Sequence, residues 1–326
     1  MSKQDQKKLL IEIMESDDRD GLYEQQTSIQ KEKLVVSFSG GRTSAYMSQW
    51  LKKNKSDEYE MIFVFSNTGK EREETLEFVD KCDKHFNLNL VWIEPLINAE
   101  FGSGTEFVIT DFKNASRNGE PFESLIKKYG IPNKANMVCS RDLKAVPITK
   151  YAKSIGWKKY YTAIGIREDE IDRMSSSRVK NKIIYPLISM NPSNKNDVNA
   201  FWLQMPFDLN LKSYEGNCDL CWKKSFRKLQ TIALENPQLT EWWIEMEQKY
   251  GMYAPEHKMT EEVKKHMPFT FYREHKSMKD IVDMSKSLKN KALDDSKQAQ
   301  LSMFNLDYVV EHIDENNGCE ESCEPF

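Results

Sequence analysis

The residues with the clearest chemical use are Ser39-Gly40-Gly41-Arg42-Thr43-Ser44. Glycine has no Cβ, so two in a row let the backbone turn tightly and aim several N–H groups at one anion. Ser39, Thr43 and Ser44 add hydroxyl donors, and a helix beginning here adds the partial positive charge of its N-terminus. The chemistry this serves is phosphate binding. The segment is not a Walker A loop, because it is shorter and lacks the Gly-Lys-Ser/Thr ending. Its plainest alternative is a Gly-Gly turn that only joins a strand to a capped helix.

Other polar segments bear on that choice. Ser66-Asn67-Thr68-Gly69-Lys70-Glu71-Arg72-Glu73-Glu74-Thr75 offers Asn67, Thr68 and Gly69 for a base or ribose. Gly165-Ile166-Arg167-Glu168-Asp169-Glu170-Ile171-Asp172-Arg173 carries two guanidinium forks suited to phosphate or sulfate. Cys139-Ser140-Arg141-Asp142-Leu143-Lys144, just ahead of Pro147, supplies two more cations. Each alone reads as a solvated turn; placed together at strand ends they argue for one anion site.

The six cysteines are Cys82, Cys139, Cys218, Cys221, Cys319 and Cys323. Cys218-x-x-Cys221 and Cys319-x-x-x-Cys323 read as metal, cluster or redox pairs rather than disulfides. Lys223 and Lys224 follow the first pair and are expected to lower its thiol pKa values. No second Cys-x-x-Cys completes a four-cysteine zinc site, and Cys139 is the third ligand we select. An iron–sulfur cluster on Cys139, Cys218 and Cys221, a zinc ion, and a redox or simply buried set of thiols all stay open. Cys82 reads as a small core residue. Trp242, Trp243, Phe269, Phe271 and Tyr272 read as core rather than as a base-stacking platform.

These segments need elements to hold them. Leu34–Phe38, Met61–Phe65, Leu88–Ile93 and Tyr160–Ile164 are short apolar runs that predict strands. Helical spacing follows at Ala45–Leu51, Glu73–Cys82 and around Pro147–Ile155. The alternation predicts an α/β, doubly wound, mainly parallel sheet of βαβ units, with ligands beyond the carboxyl ends of its strands. The loops after Phe38, Phe65 and Ile164 should therefore form one site. We divide the chain into a polar, partly helical extension (1–30), a core (31–190) and a smaller, mostly helical C-terminal region (191–326) with the Cys-x-x-Cys knuckle and an acidic cysteine-containing tail. Helices are expected near 222–250 and 259–267.

At 326 residues, 39% hydrophobic and 30% charged, the composition is that of a globular protein. A polar start without an apolar h-region, and no apolar run of membrane-spanning length, lead us to expect a cytoplasmic protein with no membrane partner. The net charge of −4 gives no global reason to bind nucleic acid, so any such contact needs a local basic groove.

Ser39–Ser44, Asn67-Thr68-Gly69 with Glu74-Thr75, Cys139 with Leu143-Lys144 and Pro147, and Gly165-x-Arg167 with Arg173 together resemble the phosphoadenosine phosphosulfate reductase family. That family belongs to the adenine-nucleotide α-hydrolase superfamily, alongside the PP-loop ATP pyrophosphatases. The resemblance runs from about residue 34 to residue 228. It implies a five-stranded parallel sheet with Ser39, Gly40, Gly41, Arg42, Thr43 and Ser44 on the nucleotide phosphates. It implies ATP or phosphoadenosine phosphosulfate as ligand, with Mg²⁺, and Lys144, Arg167 and Arg173 as catalytic cations on the remaining anionic groups. In the ATP-using branch an acceptor is adenylated and then attacked by a sulfur or nitrogen nucleophile, so a nucleic acid or a sulfur carrier is an implied partner. Some relatives that thiolate tRNA or modify DNA pair this fold with an iron–sulfur cluster.

In the reductase branch a cysteine attacks sulfate sulfur and a thioredoxin-like partner returns the electrons. Here that cysteine would be Cys319 or Cys323, although the Glu-Cys-Gly-[Ile/Leu]-His motif of reductases is missing, and Asn67 stands where many reductases have Asp. We expect the adenylating, sulfur-transferring enzyme, with the reductase and a non-catalytic nucleotide-binding subunit as alternatives.

Overall fold

The computed structural model describes residues 31–297 apart from Ala99, Phe101 and Asn217. The expected N-terminal helical extension and the tail cysteines Cys319 and Cys323 lie outside the described residues.

A six-stranded sheet in the order β4-β3-β2-β1-β5-β6 forms the centre. Its strands are β1 (Glu32–Ser37), β2 (Tyr59–Ser66), β3 (Val91–Ile97), β4 (Thr105–Thr110), β5 (Tyr161–Ala163) and β6 (Ile183–Ile184). All neighbouring pairs are parallel except β3 with β4. The last four residues of both β1 and β2 are buried, as both faces of a covered parallel sheet require. Val36 lies opposite Phe63 on one side and Ala163 on the other. The chain runs outward from β1 through β2 and β3, then returns to place β5 on the other side of β1. The order therefore reverses between β1 and β5, where an open α/β sheet offers a crevice for ligands.

Helices α1 (Arg42–Asn54), α2 (Glu73–Phe86), α3 (Glu120–Tyr129) and α4 (Val146–Ser154) cover the sheet. Beyond β6 follow α5 (Pro186–Ser189), α6 (Lys195–Leu203), α7 (Phe226–Glu235), α8 (Thr240–Tyr250), α9 (Glu261–Lys264) and α10 (Met278–Ser285). Trp202 of α6 packs edge-on against Phe78 of α2, which ties this later chain to the sheet's main core. A second core gathers α3, α7, α8 and α10 around Trp243, Phe271 and Met278, all with 0% exposure. Trp243, Phe271 and Tyr272 are core residues, as expected, and Cys82 is fully buried in the first core.

Two strands lie beyond the four predicted apolar runs, and the six in all are one more than the five the resemblance implies. β4 pairs antiparallel at the edge and β6 is two residues long, so neither carries the buried apolar run that marks a central strand. The third strand begins at Val91 rather than Leu88, because Asn87 and Asn89 both adopt positive φ and turn the chain first.

The α-turn Val138–Ser140, the π-turn Arg141–Ala145 and α4 form one continuous helical run. Val146 N–H bonds to Arg141 C=O, five residues back. Pro147 has no N–H to offer the carbonyl four residues before it, that of Leu143. Ser66 Oγ, at the end of β2, donates to that carbonyl at 2.7 Å. The wide turn is thereby fixed against the sheet end, and it carries Cys139 and Lys144.

Candidate active site

The glycine turn leaves β1 and enters α1. Gly40 has φ +87°, and a Cβ there would stand 2.7 Å from Thr75 Cγ2, so this position requires glycine. Gly41 is the N-cap of α1 with φ −96° and ψ 163°, and no side chain caps it. The first-turn N–H groups of α1 thus stand at the sheet's switch point with the positive end of the helix dipole. Ser44 Oγ lies 3.0 Å from Ser39 Oγ, accepts from Ser39 N–H at 3.1 Å and donates to Gly41 C=O at 3.0 Å, which holds the turn closed.

The loop after β5 meets this turn directly. A Cβ on Gly165 would stand 3.1 Å from Ser44 Cα, so backbone packs on backbone. Arg167, 1% exposed, donates from NH1 to Thr43 Oγ1 at 3.1 Å. Its Nε and NH2 bond to Asp169 at 3.0 and 3.2 Å. Glu170 lies between Arg167 and Arg173 and pairs with both. Ser39–Ser44, Arg167 and Arg173 are therefore brought together.

Arg42 takes another direction. Its Nε and NH2 clasp the Asp208 carboxylate at 2.6 and 2.9 Å, and NH2 also donates to Leu209 C=O. The guanidinium joins the turn to chain beyond α6, leaving Arg42 its backbone N–H as a donor in the first turn. No local signal in the sequence marks Asp208.

The loop after β2 is turned to the cysteine knuckle. Asn67 is fully buried, donating to Glu94 and Ser116 C=O while accepting from Gly69 N–H. Thr68 donates to Glu71 and sits 3.5 Å from Cys218 Sγ. Lys70 pairs with Asp219 at 3.1 Å and lies over the Trp242 ring. Glu71 bridges to Cys218 through backbone pairing. Of the residues proposed for a base or ribose, Thr68 borders the knuckle, while Asn67 is held by Glu94 and Ser116. Lys144 also lies there, 4.0 Å from Glu71.

Cys139, Cys218 and Cys221 line one cavity with Thr68, Lys144 and Trp222. No disulfide joins the described cysteines. Trp222 is 6% exposed, and its indole N–H has no partner among the described residues. Burial and the Glu71 carboxylate push the Cys218 thiol well above its usual range, against Lys144 and the Thr68 hydrogen bond, which pull it down. For Cys218 this corrects the expectation of a pKa lowered by Lys223 and Lys224. Lys223 reaches Ser140 Oγ at 3.1 Å, and the fully buried Lys224 donates to Tyr214 and Gly216 carbonyls. Among the described residues no three His, Cys, Asp or Glu side chains are gathered as a single metal ion needs. No described helix is long and apolar enough to cross a membrane.

Residues 33–192 match the model of the phosphoadenosine phosphosulfate reductase domain. Over 199 residues the chain is 37% identical to an uncharacterized nin region protein of Escherichia phage lambda, covering 60% of this chain and 67% of the relative. Two uncharacterized proteins of Methanocaldococcus jannaschii are 24% and 26% identical over 243 and 231 residues. Those matches take in 71% and 67% of this chain but only 44% and 48% of the archaeal proteins.

Proposed function

The chain belongs to the phosphoadenosine phosphosulfate reductase family, a family of adenine-nucleotide enzymes, and we propose that it adenylates an acceptor from ATP and passes sulfur to it. The observation that carries this reading is the meeting of the uncapped α1 N-terminus with Arg167 at the switch point, one strand away from a pocket of three thiols.

First-turn N–H groups of Gly41 to Ser44 and the hydroxyls of Ser39 and Thr43 hold the triphosphate, whose charge Mg²⁺ would lower further when bound with it. An acceptor oxygen attacks the α-phosphorus in line, the bond to the β-phosphate bridge breaks, and pyrophosphate leaves. Arg167, already on Thr43, and Arg173 stabilise the charge that accumulates on the departing group. A hydrosulfide-class nucleophile then attacks the activated carbon and AMP departs. Lys144, beside Glu71 and Cys218, is the cation available to that second step. Asn67, Thr68 and Gly69 act by fixing the loop that borders the nucleotide.

Cys139, Cys218 and Cys221 are the ligands we assign to an iron–sulfur cluster. Three thiols on one cavity with an unpartnered indole N–H suit a cluster's sulfurs. Cluster thiolates each take a separate iron, whereas a zinc ion draws all its ligands onto one centre. At about 20 Å³ the cavity has room for a water, so a cluster requires the knuckle to stand off from the π-turn. When bound it would supply an iron to hold sulfur or an electron path.

The test is a pair of product assays on anaerobically purified protein with its visible spectrum and iron content. ATP-dependent pyrophosphate release supports adenylation. Thioredoxin-dependent sulfite release from phosphoadenosine phosphosulfate would replace it with the reductase reading, and nucleotide binding without either product would leave a binding subunit. Loss of iron in Cys139→Ser, Cys218→Ser and Cys221→Ser supports the cluster; stoichiometric zinc, or iron retained in Cys218→Ser, overturns it.

A further inference from the structure

A second, larger cavity of about 740 Å³ lies against the same helical run. Cys139 and Lys144 line the thiol cavity, whereas Val138 and Arg141 line this one. It has the volume of a ligand site, and none of the chemistry above uses it. Its wall brings Lys127, Lys128, Arg141 and Lys258 together with Tyr129 and Tyr253, and Glu256 is the one carboxylate among its lining residues. Behind the wall, Lys127 leans on Glu123 at 3.4 Å, which Lys249 shares at 2.7 Å, and Arg141 pairs with the buried Asp142.

The cations converge on one ring. Lys128 Nζ, the Arg141 guanidinium carbon and Lys258 Nζ stand 5.4, 5.9 and 5.9 Å from the Tyr129 centroid. Each gains from the ring's negative face, but like charges gathered so closely repel one another. In a chain of net charge −4 such a gathering is a local exception, and an anion in the cavity relieves it. Tyr253, 36% exposed, adds a ring at the rim beside Lys127, whose carbonyl accepts from its hydroxyl at 2.6 Å. Cations that track phosphates beside aromatic faces that accept bases are how single-stranded nucleic acid is held. A duplex keeps its bases stacked inside and cannot use those rings.

We propose that this basic cavity binds a single-stranded nucleic acid, the acceptor of the sulfur chemistry. The phosphodiester chain lies along Lys127, Arg141 and Lys258, and an unstacked base rests on Tyr253. The strand is then separated from Cys139 by the thickness of one helical turn. The assignment of the strand as acceptor rests on the sulfur-transfer reading; its binding does not.

Fluorescence anisotropy of labelled oligo(dT) and oligo(U) with the full chain, at several salt concentrations, tests the proposal. The expected result is binding that weakens steeply with salt, at least ~10-fold weaker in Lys127→Glu/Lys258→Glu and several-fold weaker in Tyr253→Ala. The stronger of the two strands identifies DNA or RNA as the source. Affinity for adenine nucleotide, measured in parallel, should be unchanged in these variants, which shows that they fold. Undiminished strand binding by the double variant overturns the proposal. So does equal binding of a duplex, or displacement by inorganic pyrophosphate as effective as by unlabelled strand, which marks a simple anion site. Strand binding without pyrophosphate release would refute the adenylation reading and leave the cavity's assignment standing.

Discussion

Two neighbouring glycines do different work. Gly40 has a positive φ and no room for a Cβ, so its role is to let the turn form. Gly41 has an extended backbone that any residue adopts, so its role is to leave the helix end open. Gly41→Val should therefore fold normally and lose adenine-nucleotide binding, which calorimetric titration with a matched thermal melt checks. Unchanged affinity would remove the phosphate assignment. Arg167 holds Asp169 and Thr43 with separate nitrogens, a fork that lysine cannot reproduce. Arg167→Lys should weaken nucleotide binding by roughly 1–3 kcal/mol, the range for a charge-assisted hydrogen bond. Full affinity in that variant would make Arg167 a purely structural residue.

At the scale of elements, the π-turn depends on a side chain from another part of the chain. Ser66→Ala leaves the Leu143 carbonyl without its donor, beside a proline that cannot supply one. The expected cost is about 1–2 kcal/mol in urea unfolding, with a larger loss of cluster than of nucleotide binding. A second element-level contact titrates. Glu247 of α8 accepts from Phe271 N–H at 3.0 Å and Met278 N–H at 2.7 Å, joining α8 to the start of α10. Burial raises its pKa to about 7, with Asp280 adding to it and the two N–H groups opposing it. The folded state thus holds this proton more tightly than the unfolded chain. Its stabilisation is complete below the ordinary carboxylate range and is lost as pH rises through about 7, a swing of roughly 3 kcal/mol. Unfolding free energy should fall between pH 5 and 8, and Glu247→Gln should flatten that dependence; a wild-type profile as flat as the variant's would refute it.

For the whole molecule, the glycine turn near the start of the sheet is held by chain far along the sequence. Arg42, 3% exposed, reaches Asp208 across the core, and Trp202 Nε1 donates to Arg42 C=O at 3.1 Å. The site is thus braced by chain that lies after the sheet is complete. Asp208→Ala leaves a buried guanidinium with one carbonyl partner, and we expect a loss of about 2–3 kcal/mol in stability. Nucleotide affinity should fall in the same variant, because Arg42 opens α1. Denaturation and titration together check this; loss of stability with full affinity would show the brace to be independent of the site.

Sequence by itself determined the central strands β1, β2 and β5, the helices between them and the glycine turn, because continuous apolar runs and helical spacing are local properties. It also marked the three loops and Cys218-x-x-Cys221. It located β3 three residues early, and β4 and β6 escaped it, since an antiparallel edge and a two-residue strand carry little periodicity. Which loop faces which partner was a tertiary matter. Loop one meets loop three because strand order reverses between β1 and β5, while loop two turns to the knuckle through Glu71, Lys70 and Thr68. Lys144 joined the thiols, and the cations of the second cavity came together, through contacts between residues distant in the chain. Such contacts are set by packing of whole elements, and no spacing along the chain encodes them.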